Sequence, residues 1–285
     1  MFPLNSAGSQ PSIVPMDSLP QAAWEPVTPR GVAAFARATN GRLFLVQFFV
    51  ALIVAATVVW FLRDAWFPTV RAAIKKLPDA GEIRGGKLDW HGPSPQLLAE
   101  GTFLAFTVDL EHKGEARSAA HVEIELGREN LFVRSLLGYV ELRYPKGWIV
   151  ALNRGELTPW VGAWQPWLLA LTALGIVVFL FVCWLTLATL YMFPAWLLMF
   201  YADRDLKSRE CWRLAGAALM PGALMMAVGI LLYDFAVVDL VGLGFIAAGH
   251  LVLGWIYLFI SPLFLPRSAP VTEVAKNPFG RSRAG

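Results

Sequence analysis

Four histidines carry the widest chemical repertoire in this chain near neutral pH, and their spacing decides how much of it is usable. His91, His112 and His121 share one polar stretch with several carboxylates, the residue types from which a metal site or an acid–base pair is assembled. None of the three has ligand spacing such as two histidines one helical turn apart, and nothing fixes the separation of two carboxylates. His121 alternates with Glu123 and Glu125 opposite Val122, Ile124 and Leu126, the pattern of a strand with one solvated face. The expectation for this stretch is no metal, no cofactor and no catalytic residue.

His250 is different, because it lies within the apolar run GFIAAGHLVLG, and an ionisable group at membrane depth is a functional candidate by default. It is the one site candidate in the chain, as a ligand or proton-path group. Its competing role is a hydrogen bond that ties two helices together, and no intramembrane Asp, Glu, Lys or Arg is available to relay a proton to it. Classical ion-coupled transport is disfavoured on the same ground. Cys183 and Cys211 fall in and beside apolar runs on the expected cytoplasmic side, which speaks against a disulfide or thiolate metal site. The glycines from Gly242 to Gly249 follow no strand and fit no dinucleotide fingerprint, and there is neither a P-loop nor a serine elbow. The expected protein is not an enzyme.

The elements that position these residues are mostly apolar helices. Of 285 residues, 56% are hydrophobic and 16% charged, and the charges are segregated between long apolar blocks. A net charge of +3 resolves into local basic edges and leaves no nucleic-acid footprint. Residues 1–42, rich in Pro, Ser, Ala and Gly, read as a flexible cytoplasmic tail, and the first span, 43–62, reads as a signal anchor without a charge. Residues 63–77 form an amphipathic helix with Trp66, Val70, Ala73, Ile74 and Leu77 on one side, suited either to the lipid interface or to packing on the next domain. From 78 to 158 the period changes to two, giving strands around Phe103–Glu111, His121–Leu126, Gly138–Pro145 and Trp148–Asn153, with a turn at Gly85-Gly86. This is a β-rich extracytoplasmic domain, expected as a small antiparallel sheet.

The later spans are 167–191, with an interfacial extension 192–201, then 214–233 and 240–265. The uncharged run 165–201 would barely hold two spans with a turn, so the count of four rests on charge. One span there puts Arg204, Lys207, Arg209 and Arg213 of the loop 202–213 in the cytoplasm with the tail 266–285, and leaves the acidic DFAVVD loop outside. Trp and Tyr residues near the span ends supply aromatic belts, and Pro194 and Pro221 should kink or interrupt their helices. Small residues at four-residue spacing, Ala218 with Gly222, Ala223 with Ala227 and Gly244 with Ala248, permit close helix packing or a homo-oligomer contact.

The layout, with Leu77, Pro78, Ile83, Gly86 and Leu88 in an LP-x4-I-x2-G-x-L pattern and Asp109 after Thr107-Val108, resembles an uncharacterised family of polytopic bacterial membrane proteins. That family is numbered 1189 among the domains of unknown function, and some members are described as maltodextrin-utilisation MalA-like proteins. The resemblance covers roughly residues 40–265 and implies a multi-pass protein of the bacterial cytoplasmic (inner) membrane, with no catalytic residue to carry over. The fold expected is an α-helical membrane bundle of about four spans with an inserted β-rich domain. The function expected is that of a non-enzymatic accessory, sensing or scaffolding component, with the bilayer and a membrane protein or second copy as partners. The alternative is a transporter or channel component with a cavity near His250.

Overall fold

The computed structural model describes residues 23–136, 138–204 and 206–267, so most of the expected N-terminal tail and nearly all of the C-terminal one lie outside the described residues. Four helices are long and apolar enough to cross a membrane: Asn40–Lys75, Arg154–Tyr201, Ser208–Asp234 and Leu240–Phe264. By packing, the chain divides into two compact units, residues 1–46, 184–220 and 253–285 in one, and 47–183 and 221–252 in the other.

In the first unit, residues 23–42 correct the reading of a tail. Helix α1, Pro29–Phe35, is capped by the Thr28 hydroxyl, which accepts the Gly31 N–H at 3.0 Å, and proline opens its first turn. Val32, Ala33, Ala34 and Phe35 are buried, so seven residues carry enough apolar surface to dock where composition alone predicts disorder. Arg213 donates from Nε and Nη2 to the Ala36 carbonyl at 3.1 and 2.8 Å, satisfying an acceptor just beyond the helix end. Buried Leu43, Met199, Leu214, Met220 and Leu258 complete this core.

Helix α2, Asn40–Phe61, continues through one π-helical turn, Leu62–Trp66, into α3, Phe67–Lys75. Pro68 explains the wider turn: it has no N–H to return, and its ring needs room against the preceding carbonyls. Ala73 and Ile74 of α3 are buried with Leu77 among β-domain residues. Of the two roles open to the amphipathic segment, packing on the domain describes these contacts.

The β domain lies in the second unit. Strands β1 (Gly81–Arg84), β2 (Lys87–Trp90) and β8 (Ile149–Ala151) form an antiparallel sheet of order β2-β1-β8. The β1–β2 turn has positive φ at both Gly85 (61°) and Gly86 (82°), a conformation that selects glycine. Strands β3 (Gln96–Glu100), β4 (Leu104–Val108), β5 (Val122–Leu126), β6 (Asn130–Ser135) and β7 (Gly138–Arg143) form the second sheet in that order. Its β4–β5 pair is parallel, which corrects the expected purely antiparallel sheet. The polar connection 109–121 is long enough to carry the chain back along the domain, as a parallel neighbour requires. Leu88, Leu98, Ala99, Val108 and Leu126 pack with α3 to form the core.

Helix α4, Arg154–Tyr201, begins inside the expected β domain because Asn153 caps it, its Oδ1 accepting the Glu156 N–H at 2.9 Å. It runs 48 residues without a break, through Pro194, where a kink or interruption between the span 167–191 and its interfacial extension 192–201 is expected. At about 1.5 Å per residue it is roughly 70 Å long, more than twice a ~30 Å hydrocarbon core. Helix α5, Ser208–Ala218, gives way at Leu219 to α6, Met220–Asp234, because Pro221 cannot donate to the Ala217 carbonyl. Helix α7, Leu240–Ile260, starts at Asp239, whose Oδ1 accepts the Gly242 N–H at 2.7 Å, and ends in the 3₁₀ turn Ser261–Phe264.

Candidate functional site

Strand alternation gathers the polar residues of the five-stranded sheet on one face. The register sets Thr107 of β4 beside Glu125 of β5, Glu125 beside Phe132 of β6, and Glu123 beside Arg134. The face expected to be solvated is buried: Glu125 is 0% exposed and Glu123 6%. The error has a plain cause, because alternation identifies two faces of a strand but not what lies over each.

Charge is compensated within this face. Arg134 Nη2 stands 2.7 Å from Glu125 Oε2 and Nη1 stands 3.8 Å from Glu123 Oε2. The Thr107 hydroxyl donates to Glu123 Oε1 at 2.9 Å. Across the face, His112 Nδ1 lies 2.5 Å from Glu125 Oε1, and its ring stacks on Phe132 with centroids 4.2 Å apart. His112 reaches that position from a left-handed backbone, φ 54°, uncommon for a residue with a Cβ. Buried ions without partners cost several kcal/mol each, which is why Arg134 must accompany Glu125.

The adjoining loop is held by Asp109, which is 2% exposed. Burial pushes its carboxyl up, but the backbone N–H groups of Gly114, Lys113 and Glu111, together with His112, outweigh that and leave it below the usual value. The Gly114 N–H donates to Asp109 Oδ2 at 2.7 Å. Glu100 is lowered by the Ser118 hydroxyl and the Ala119 N–H, which fix the loop's far end.

Over this network opens a cleft of about 580 Å³, lined by His112, Arg117, Glu123, Phe132, Arg134 and Tyr139 among others. A second pocket of about 360 Å³ shares Ser118, Glu123 and Arg134 and extends to His121 and Asp239. The cleft can hold a polar ligand between donors and carboxylates. No group of three His, Cys, Asp or Glu side chains with the makings of a metal site occurs among the described residues.

The histidines go to different places. His91 is exposed, 3.9 Å from Asp89. His121 Nδ1 is 2.6 Å from the Tyr233 hydroxyl at the end of α6, and the two rings stack within a cluster completed by Phe61 and Phe103. This cluster links the β domain to α2 and α6. His250 is half-buried, its Nδ1 bonded to the Ala247 carbonyl one turn earlier, and it belongs to neither cleft. A Cβ on Gly222 would meet the His250 carbonyl oxygen at 2.6 Å, so α6 crosses α7 at that level with no room for a side chain.

Arg134, Glu123, Glu125 and His112 were missed as a group, although β6 and the sign of its arginine were available signals. The β5–β6 register that sets Arg134 beside Glu123, and the loop that carries His112 to Glu125, were not. A comparison with protein-family models, curated proteins and solved structures finds no match to this chain.

Proposed function

We propose that this is a non-enzymatic accessory protein of the bacterial cytoplasmic membrane. Four helices span the bilayer with both termini inside, and the β domain outside receives a membrane partner by strand addition. The observation that carries the reading is β7: it is an edge strand, all six of its residues are exposed, and Tyr139, Val140 and Leu142 offer apolar contacts along it. Ser135 pairs with Gly138 across a two-residue connection. Past the other end of the pair the Tyr144 N–H donates to the Glu129 carbonyl at 3.1 Å, so by alternation the outward N–H groups of β7 belong to Tyr139, Glu141 and Arg143. They stand ready for a partner strand. The architecture and the Leu77–Leu88 pattern that resembles the family numbered 1189 support the bacterial membrane assignment, and basic segments beside the spans support the orientation. The close Gly222–His250 crossing supports a packing role for His250 rather than a transport cavity.

The test is crosslinking of the full-length chain in membranes, comparing wild type with a deletion of 78–158 and with Glu141→Pro. Proline at 141 removes an outward donor while the backbone bonds to β6 stay in place, at the cost of one side-chain bond from Asn130 to the Glu141 carboxylate. Loss of the same crosslinked species in both variants is expected, and retention in both overturns the reading. Orientation is read by cysteine labelling at Lys113 and Ser208 in a chain freed of Cys183 and Cys211: opposite sides are expected, and one common side refutes four spans.

A further inference from the structure

We propose that the second unit holds one zwitterionic phospholipid of the phosphoethanolamine type, its acyl chain beside α7 and its headgroup against the polar face of the sheet. An apolar slot of about 530 Å³ is lined by Leu136, Met226, Leu240, Gly244, Phe245 and Ala248 among other apolar residues, with almost no polar surface. The polar pocket of about 360 Å³ shares Leu136, Leu240 and Val241 with it. The two therefore adjoin at the start of α7, one lined by hydrocarbon and the other carrying hydrogen-bonding side chains. That is the gradient of an amphiphile.

The occupant follows from the charges around the polar end. Arg134, partly exposed, and the ring of His121, whose Nδ1 is taken by Tyr233, present donors suited to a phosphate. Asp239 is exposed and uses Oδ1 to cap α7, leaving Oδ2 for an ammonium, while Glu123 in the same pocket is already engaged by Thr107 and Arg134. A headgroup with one phosphate and one primary ammonium satisfies both signs, whereas an anionic glycerol headgroup leaves Asp239 unanswered. An ordinary lipid around a bundle touches helices alone. Here β6 supplies Arg134, and Leu136, the first residue past the end of that strand, is an exposed leucine that lines the slot. At Gly244 an added Cβ meets nothing within 4 Å, so a larger side chain there can extend into the slot without displacing its neighbours.

This inference rests on reading α7 as a membrane span, and the experiment separates the two. The full-length protein is extracted from membranes, delipidated in detergent and titrated with palmitoyl-oleoyl phosphatidylethanolamine or phosphatidylglycerol, and retained lipid is counted by native mass spectrometry. One phosphatidylethanolamine per chain is expected, favoured about tenfold over phosphatidylglycerol, the scale of one uncompensated charge contact. Gly244→Leu, which fills the slot from an open position, should abolish retention of both lipids. Asp239→Asn keeps the helix cap and should remove the discrimination while leaving retention. Equal retention of the two lipids by wild type, or wild-type retention by Gly244→Leu, overturns the lipid site and leaves the span reading standing. Release of the chain from membranes by alkaline carbonate overturns both.

Discussion

The two faces of the five-stranded sheet each bury residues at β4 and β5, and they do so by opposite chemistry. One face buries Leu98, Val108 and Leu126 against α3, where each additional apolar contact stabilises without directional demands. The other buries Glu125 and Glu123 beneath Arg134, His112 and a loop, where each group is tolerable only while its partner is present. A hydrophobic isostere would serve stability as well or better on the polar face, so its charges, unlike the apolar contacts, are not accounted for by stability alone.

The largest expected effect breaks the polar face alone. Arg134→Ala leaves Glu125 buried without its cation and should cost about 3–5 kcal/mol in chemical unfolding of the full-length chain. Replacing both residues, Glu125→Leu with Arg134→Met, should recover most of that loss while abolishing whatever binds the cleft. If the double substitution is as unstable as the single one, the polar face is a stability element and the contrast with the apolar face disappears. Next in size is Leu98→Ala, a cavity in the apolar face worth about 2–4 kcal/mol by the same measurement. No recovery by a second site is expected there, because dispersion contacts are spread over many neighbours.

These two faces also mark how far the sequence could be read. Leu43–Leu62 announces a span because no charge interrupts it, and the β1–β2 turn is legible because two consecutive glycines have few other uses. The pattern His121-Glu123-Glu125 reads as solvated by itself, whereas what covers it comes from Arg134 across a strand pair and His112 across a long loop. Such contacts depend on the register of β5 against β6 and on the path of that loop, which alternation within one strand does not encode. Helix α1 was hidden for a related reason: Thr28-Pro29 is a proper helix start, but seven residues give too little periodicity to outweigh a Pro- and Ser-rich context.

A smaller effect separates the loop from the sheet it covers. The Asp109 carboxyl is lowered on folding, so its contribution is fully present above its unfolded value near pH 4 and is lost as pH falls through the lower folded value. Asp109→Asn should cost about 1 kcal/mol at pH 7 and flatten the acid limb of the stability curve, with little difference from wild type once the pH lies below the folded value of Asp109. An unchanged acid limb would mean that the loop closes over Glu125 without help from Asp109.

The smallest effect belongs to the surface assigned to a partner. Tyr139 is 71% exposed on β7 and lines the cleft edge, so Tyr139→Ser removes a large contact area that the isolated chain does not use. Stability should change by no more than about 0.5 kcal/mol, as for other exposed positions, while crosslinking along the β7 edge falls. If stability drops instead, Tyr139 supports the polar face from within, and the exposed edge is narrower than the strand itself.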